Sequence, residues 1–363
     1  MYRLFVLANL VLCCAPAWAS AEIITGADAG GGPHVKVFSG DTGSELGSFF
    51  AYSRSFTGGV RVATGDVNGD GTADIITGPG AGAGPHVKVF DGLSGGELSS
   101  FFAFDPGFTG GIFVGGGDVD NDSFDDIITG ADMGAAPHVK VFSGQTGAEL
   151  DSFFAYTPSF TGGVRVAAGD VNDDGFDDII TGSGPGGGPH VKVFSSQTGA
   201  ELHSFFAYDP GFTGGVYVGG GDVDNDGFAD IITGAGAGVG PHVKVFSGQT
   251  GAELHSFFAY DAAFTGGVRV ATGDINGDGF ADIVTGAGPL DGTGPSPGPH
   301  VKVFDGQTGA ELQSFFAYGR TFQGGVFVGA GNVAVPEPSS LLLLCVGGAC
   351  CLAVWRRRTR FSR

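Results

Sequence analysis

Cysteine is absent from residues 22–333, and the five present (Cys13, Cys14, Cys345, Cys350 and Cys351) all lie in the two hydrophobic ends. Disulfides are therefore excluded from the body of the chain, which leaves metal ions as the available cross-links and fits an extracellular address. Basic residues are scarce. With the ends set aside, 11 Lys and Arg face 37 Asp and Glu, a net charge near −26 that excludes nucleic acid as a partner. Helical periodicity is missing between Glu22 and Val333, so the fold class is all-β. There is no G-x-S-x-G elbow, no zincin motif and no Cys/His pair. The units described below are nearly identical, whereas catalysis needs one asymmetric constellation, so the chain reads as a non-enzyme.

What the sequence does contain is a repeat. Asp66-Val67-Asn68-Gly69-Asp70-Gly71-Thr72-Ala73-Asp74 sets oxygen-bearing side chains at positions 1, 3, 5 and 9 around a glycine at position 6. Hard cations take six to eight oxygens at about 2.3–2.6 Å, and glycine at the sharp bend lets the backbone reach positive φ and wrap an ion. The ligand set Asp66, Asn68, Asp70, Asp74 recurs every 52 residues as Asp118, Asp120, Asp122, Asp126, then Asp170, Asn172, Asp174, Asp178, then Asp222, Asp224, Asp226, Asp230, then Asp274, Asn276, Asp278, Asp282. About five structural Ca²⁺ sites are expected. Seventeen of these twenty residues are carboxylates, which accounts for most of the acidity. In the second loop Ser123 stands where the others have glycine, a position at which positive φ strains a side chain. Position 12 is threonine in every copy, at Thr77, Thr129, Thr181, Thr233 and Thr285. That and the lack of flanking helices exclude an EF-hand.

Glycine and proline together make up 88 of 363 residues, but they recur at fixed places among Val, Ile and Phe and read as turns. Each unit divides into four short runs, for example 178–182, 190–194, 202–208 and 215–218. Four antiparallel strands in a repeat of this length is the pattern of a propeller blade. After its first 21 residues the chain opens on Glu22-Ile23-Ile24-Thr25-Gly26, a run that follows a loop elsewhere, and the array stops at Gly325-Val326-Phe327-Val328, a run that precedes one. Pairing the two closes a six-bladed β-propeller of four-stranded blades over residues 22–333, with no exposed sheet edge. The sixth loop, which would start at Asn332, is then split between the chain ends.

The innermost strands carry Arg61, Phe113, Arg165, Tyr217, Arg269 and Phe327 at one position. This two-unit alternation closes only on an even number of blades. It predicts arginines stacked on aromatic rings around the axis, with an anion-binding arginine cluster as the other reading. His34, His86, His138, His190, His242 and His300 fall in the third strands, too far apart to share an ion, and read as hydrogen-bonded between blades. His203 and His255 vary freely with Gly47, Ser99, Asp151 and Gln313 and read as solvated. The paired phenylalanines (Phe49/Phe50 and their copies) and the Phe56 series read as packing between blades rather than as a stacking surface. One insertion, around Pro289 to Pro297, falls on the face carrying the Gly-rich and Asp-Pro-Gly-Phe loops. That face is expected to meet a partner.

The loops, with the Gly-rich segments running into Pro85, Pro137, Pro189, Pro241 and Pro299, resemble the FG-GAP and VCBS repeats of integrin-α-like propellers. The resemblance implies a Ca²⁺-stabilised scaffold or adhesion module with a protein or polysaccharide ligand; integrin propellers have seven blades, one more than is read here. The N-terminus, with Arg3, an apolar run from Leu4, and Ala17-Trp18-Ala19 or Ala19-Ser20-Ala21 as cleavage site, reads as a signal peptide over 1–21; an uncleaved anchor is the alternative. The segment 334–363 has Pro336-Glu337-Pro338, a short apolar stretch over 341–355 and Arg356, Arg357, Arg358 and Arg360. It resembles the PEP-CTERM sorting signal recognised by an exosortase, which implies transient membrane association through that helix and release to the envelope, surface or matrix. Binding or adhesion is the expected role. A polysaccharide lyase or hydrolase on a propeller scaffold, and a purely structural matrix protein, are the alternatives.

Overall fold

The computed structural model describes residues 21–289 and 297–334. The expected signal peptide, most of the insertion and the expected helix at 341–355 lie outside the described residues. Among those described, no helix is long and apolar enough to cross a membrane.

Six four-stranded antiparallel sheets stand in a ring. From the axis outward, blade I is Val326–Gly331, Glu22–Ala27, His34–Phe38 and Glu45–Phe50. Blade II is Val60–Gly65, Asp74–Pro79, His86–Phe90 and Glu97–Phe102, and blade III is Ile112–Gly117, Asp126–Ala131, His138–Phe142 and Glu149–Phe154. Blade IV is Val164–Gly169, Asp178–Ser183, His190–Phe194 and Glu201–Phe206. Blade V is Val216–Gly221, Asp230–Ala235, His242–Phe246 and Glu253–Phe258, and blade VI is Val268–Gly273, Asp282–Ala287, His300–Phe304 and Glu311–Phe316.

Blade I joins the two ends of the array as the alternating sequence requires. Val326 opposes Ala27 and Gly331 opposes Glu22, the register that Val60–Pro79 and Gly65–Asp74 show within the continuous blade II. The fourth strand of blade IV ends at Phe206 rather than Tyr208, because Tyr208 turns in to bond the next blade. Its phenol donates to the carbonyls of His242 (2.7 Å) and Thr233 (3.0 Å). The inner strand of blade V runs on through Gly219, Gly220 and Gly221, three residues past the run 215–218 read from sequence. Gly219 and Gly220 line the axial channel, and a Cβ on Gly220 would sit 2.2 Å from the carbonyl oxygen of Ala168 in blade IV.

Burial follows strand position. Second strands lie between neighbouring blades and are covered on both faces, so Asp-Ile-Ile-Thr-Gly is a continuous buried run instead of an alternating one. Fourth strands are mostly exposed. The first phenylalanine of each outer pair packs on the third-strand phenylalanine of the next blade, from Phe49–Phe90 at 4.7 Å round to Phe315–Phe38 at 4.7 Å. The second does not. It lies on the outside over the histidine of its own blade, as in Phe102 on His86 at 4.6 Å, and Phe102, Phe154, Phe206 and Phe258 remain about half exposed. The expectation that both pack between blades holds for the first member only, because side chains one residue apart point to opposite sheet faces.

The histidines differ from expectation in the same way. His86 Nε2 bonds Ser100 Oγ within its own blade at 2.9 Å, while its carbonyl accepts the inter-blade bond from Tyr52 at 2.7 Å. His203, read as solvated, lies 2.6 Å from the carbonyl oxygen of Gly248 in blade V.

Blades approach closely at glycine. A Cβ on Gly130 would sit 2.5 Å from the carbonyl oxygen of Val164 in the next blade. Gly130→Ala is therefore expected to lower stability by about 1–3 kcal/mol, read as a fall in Tm. Gly319→Ala, where a Cβ meets nothing within 4 Å, is expected to leave Tm nearly unchanged.

Candidate metal centres

Each acidic loop joins an inner strand to the second strand of its blade, and the five complete loops share one local construction. The carboxylate at position 1 (Asp66, Asp118, Asp170, Asp222, Asp274) accepts the amides of positions 5 and 6 on its two oxygens at 2.8–3.2 Å. Position 5 (Asp70, Asp122, Asp174, Asp226, Asp278) accepts the amide of position 7 at 2.9–3.0 Å. Position 9 is fully buried. There Asp74 accepts Val67 N at 3.1 Å and, from the turn between the third and fourth strands, Gly92 N at 2.9 Å. Asp126, Asp178, Asp230 and Asp282 repeat both bonds.

Two residues of every loop adopt left-handed backbone. Position 6 is Gly71, Ser123, Gly175, Gly227 or Gly279, and Ser123 carries the strain expected of it at φ 71°. The sequence reading missed position 4, where Gly69, Asn121, Asp173, Asn225 and Gly277 all have positive φ. The restriction of that position to Gly, Asn and Asp was the available signal.

The loops also bond to one another around the ring. The residue at position 8 donates its amide to the carbonyl of position 1 in the preceding loop, as Asp125 does to Asp66 at 2.9 Å and Ala281 to Asp222 at 2.8 Å. The split sixth loop takes part: Ala21 N donates to Asp274 O and Ala73 N to Asn332 O, both at 2.8 Å. Glu22 there does the work of Asp74, accepting Gly40 N at 2.8 Å. Asp125 and Asp177 add a side-chain bond, each accepting the amide of position 1 in the preceding loop, at 2.7 and 3.1 Å. Both escaped the sequence reading, since position 8 is alanine in the other loops.

The chemistry of the donor set fits a hard divalent cation. Carboxylate oxygens of Asp118, Asp120 and Asp126 come within 4.8 Å of one another, as do those of Asp222, Asp224 and Asp226. In the other loops position 3 is Asn68, Asn172 or Asn276, and Asn172 Oδ1 is buried without a hydrogen-bond partner. No ion pair among the described residues uses a carboxylate at a ligand position: the pairs are six Lys–Glu ladders, Arg61–Asp132 and Arg269–Asp28. The buried carboxylates at position 9 have a raised proton affinity. Burial, against the pull of backbone amides, pushes Asp74 and Asp282 up to about 6 and Asp126, Asp178 and Asp230 up to about 7.

These features define a class: a closed six-bladed propeller with an acidic, oxygen-lined loop at the axial end of each complete repeat. The chain carries an FG-GAP repeat, matched at residues 266–298, and a PEP-CTERM protein-sorting motif, matched at residues 334–358. The motif is a signal for exosortase-mediated sorting, and the protein is an exported one of the cell envelope or surface. The chain is 27% identical to integrin alpha-5 of Xenopus laevis over 228 residues, 52% of this chain and 20% of that one. It thus spans about a fifth of that relative's length. Among solved structures it is similar to an Agrocybe aegerita lectin that recognises non-reducing terminal N-acetylglucosamine (18% identity, TM-score 0.43, covering 84% and 78% of the two chains). It is also similar to the rhamnogalacturonan lyase YesW (14%, 0.41, 82% and 65%) and the V. cholerae biofilm matrix protein Bap1 (19%, 0.36, 70% and 38%).

Two outcomes follow from the loop geometry. Ser123→Gly relieves a left-handed side chain and is expected to stabilise the protein by about 1 kcal/mol, read in thermal melts with and without metal. The raised carboxyl groups favour folding while protonated. Their contribution to the stability of the metal-free protein is therefore fully present below the ordinary carboxyl value of 3.8 and is lost as pH rises through about 6 to 7. Melts of chelated protein from pH 5 to 8 are expected to show a falling Tm, and saturating divalent metal, which competes with those protons, to flatten or reverse the trend.

Proposed function

We propose that the protein is a Ca²⁺-stabilised propeller acting as a binding or adhesion module at the cell surface or in the extracellular matrix, where it meets a protein or polysaccharide. The observation that carries the metal reading is that, among the described residues, no cationic side chain pairs with the loop carboxylates. Clustered anions at a bend, tied only to amides, have spare lone pairs and uncompensated charge, and a cation taking all-oxygen ligands satisfies both. Positions 1, 3, 5 and 9 would hold it, and the ion would stiffen the turn that links neighbouring loops. Its role is structural.

Export and sorting complete the reading. A signal peptide cut after Ala19 leaves in place Ala21, whose amide closes the loop ring; a cut after Ala21 removes that bond. The tail after Ala334 would hold the protein at the membrane until an exosortase cleaves it. Repetition of the same side chains in every blade supports a binding role over catalysis, and an assay for depolymerisation of acidic polysaccharides decides between them.

Chelation is the direct test of the metal reading. A ligand that binds only the folded state stabilises it by about 2.7 kcal/mol for each site held at a hundred times its Kd, so millimolar Ca²⁺ is expected to raise Tm by many degrees over EDTA. Equal melting in both would remove the metal reading. Substitution of Asp226 by Asn is expected to cost part of that gain, measured as a lower stoichiometry or affinity in Ca²⁺ titration.

A further inference from the structure

The end of the axis away from the metal loops is closed by a ring of six alternating side chains. Arg61 lies over Phe113 at 4.3 Å, Arg165 over Tyr217 at 4.4 Å and Arg269 over Phe327 at 4.7 Å, and each arginine also reaches the aromatic residue on its other side at 5.3–5.6 Å. The three aromatic rings touch edge to face, with centroids 6.3–6.5 Å apart. Around them the six residues line an axial cavity of about 50 Å³, several times the roughly 10–15 Å³ that one water needs.

Threefold repetition of this ring fails in charge. Arg61 pairs with Asp132 and Arg269 with Asp28, each aspartate belonging to the next blade around the ring. Asp132 and Asp28 hold equivalent places, with their amides on Gly111 O and Gly325 O. The same place beside Arg165 is Gly236, whose amide bonds Gly215 O. A Cβ on Gly236 would run into the carbonyl oxygen of Gly214, so the chain supplies no side chain there. Arg165 is 6% exposed. Its Nη1 donates to Ser183 O at 2.6 Å, its Nε is buried without a partner, and it forms no ion pair among the described residues. The Nε atoms of Arg61 and Arg269 are also buried and unpartnered. Among the described residues, three guanidiniums and two carboxylates leave one positive charge in the buried ring, and a buried charge without a counterion is costly enough that a charge-assisted anion contact there would be favourable.

We propose that Arg165 marks an anion site on the propeller axis, which takes the carboxylate group of a ligand in the place that aspartate fills beside Arg61 and Arg269. The site is independent of the metal loops and on the opposite face, so either reading can fail without the other.

The ring contains its own reporter. Burial pushes the Tyr217 phenol up, but the guanidiniums of Arg269 and Arg165 outweigh it and leave the phenol below its ordinary value. Burial holds Tyr52, Tyr156, Tyr208, Tyr260 and Tyr318 well above theirs. In protein processed to remove the N-terminal segment that holds Tyr2, phenolate absorbance at the start of the alkaline range thus reads Tyr217, and Tyr217→Phe confirms the assignment by removing the first transition. With Ca²⁺ saturating and ionic strength fixed, exchange of chloride for acetate is expected to raise the Tyr217 midpoint by about half a pH unit or more, because a bound anion cancels the cationic field. Arg165→Met is expected to abolish the acetate dependence. Should that variant not fold, Arg165→Lys keeps the charge without the planar fork and is expected to weaken the response severalfold. An identical midpoint in acetate and chloride, or an acetate response undiminished in both variants, overturns the proposal.

Discussion

Each complete blade depends on one buried carboxylate with an amide on each oxygen. Asp74 and its copies draw one amide from the start of the acidic loop and one from the turn between the third and fourth strands. A single residue thereby fixes the inner and outer halves of a blade to one another. Burying an anion among amides stabilises it only in part, and its raised proton affinity records the shortfall. A cation in the loop, as proposed, would supply the remainder. The residue that anchors the blade and the residue that tunes it to metal are then the same.

Three belts run around the ring at different radii. Nearest the axis are the arginines and aromatics; further out, the phenylalanine pairs such as Phe205–Phe246 at 4.7 Å link third and fourth strands of neighbouring blades. On one face lies the chain of loop amides and carbonyls. Every belt passes through blade I, where strand pairing replaces the covalent connection. Closure is therefore supported by hydrogen bonds, apolar contact and cation–π attraction together, and no one of them carries it.

The architecture was legible because the repeat is long, regular and interrupted at its ends. The runs 22–26 and 325–328 could be paired from sequence because each resembles a strand whose partner lies elsewhere in the chain. Turn positions were legible where they required glycine. What escaped was anything set by which face a neighbouring residue takes: the outward Phe102, the intrablade bond of His86, the inward Tyr208. The Arg61–Asp132 and Arg269–Asp28 pairs were hidden too, since the partners are 71 and 241 residues apart and the aspartates occur in only two of the six blades. The recurrence of positions 1, 3, 5 and 9 was legible in the sequence; that positions 1 and 9 accept the loop's own amides was not.

Both ends of the described chain, Ala21 and Ala334, leave the ring at the split loop. If the tail tethers the protein as proposed, it would pull on the face that carries the acidic turns, and the disc would lie with that side toward the lipid and its glycine-rich rim toward the surroundings. Orientation would be built into the point of attachment, before any ligand is met.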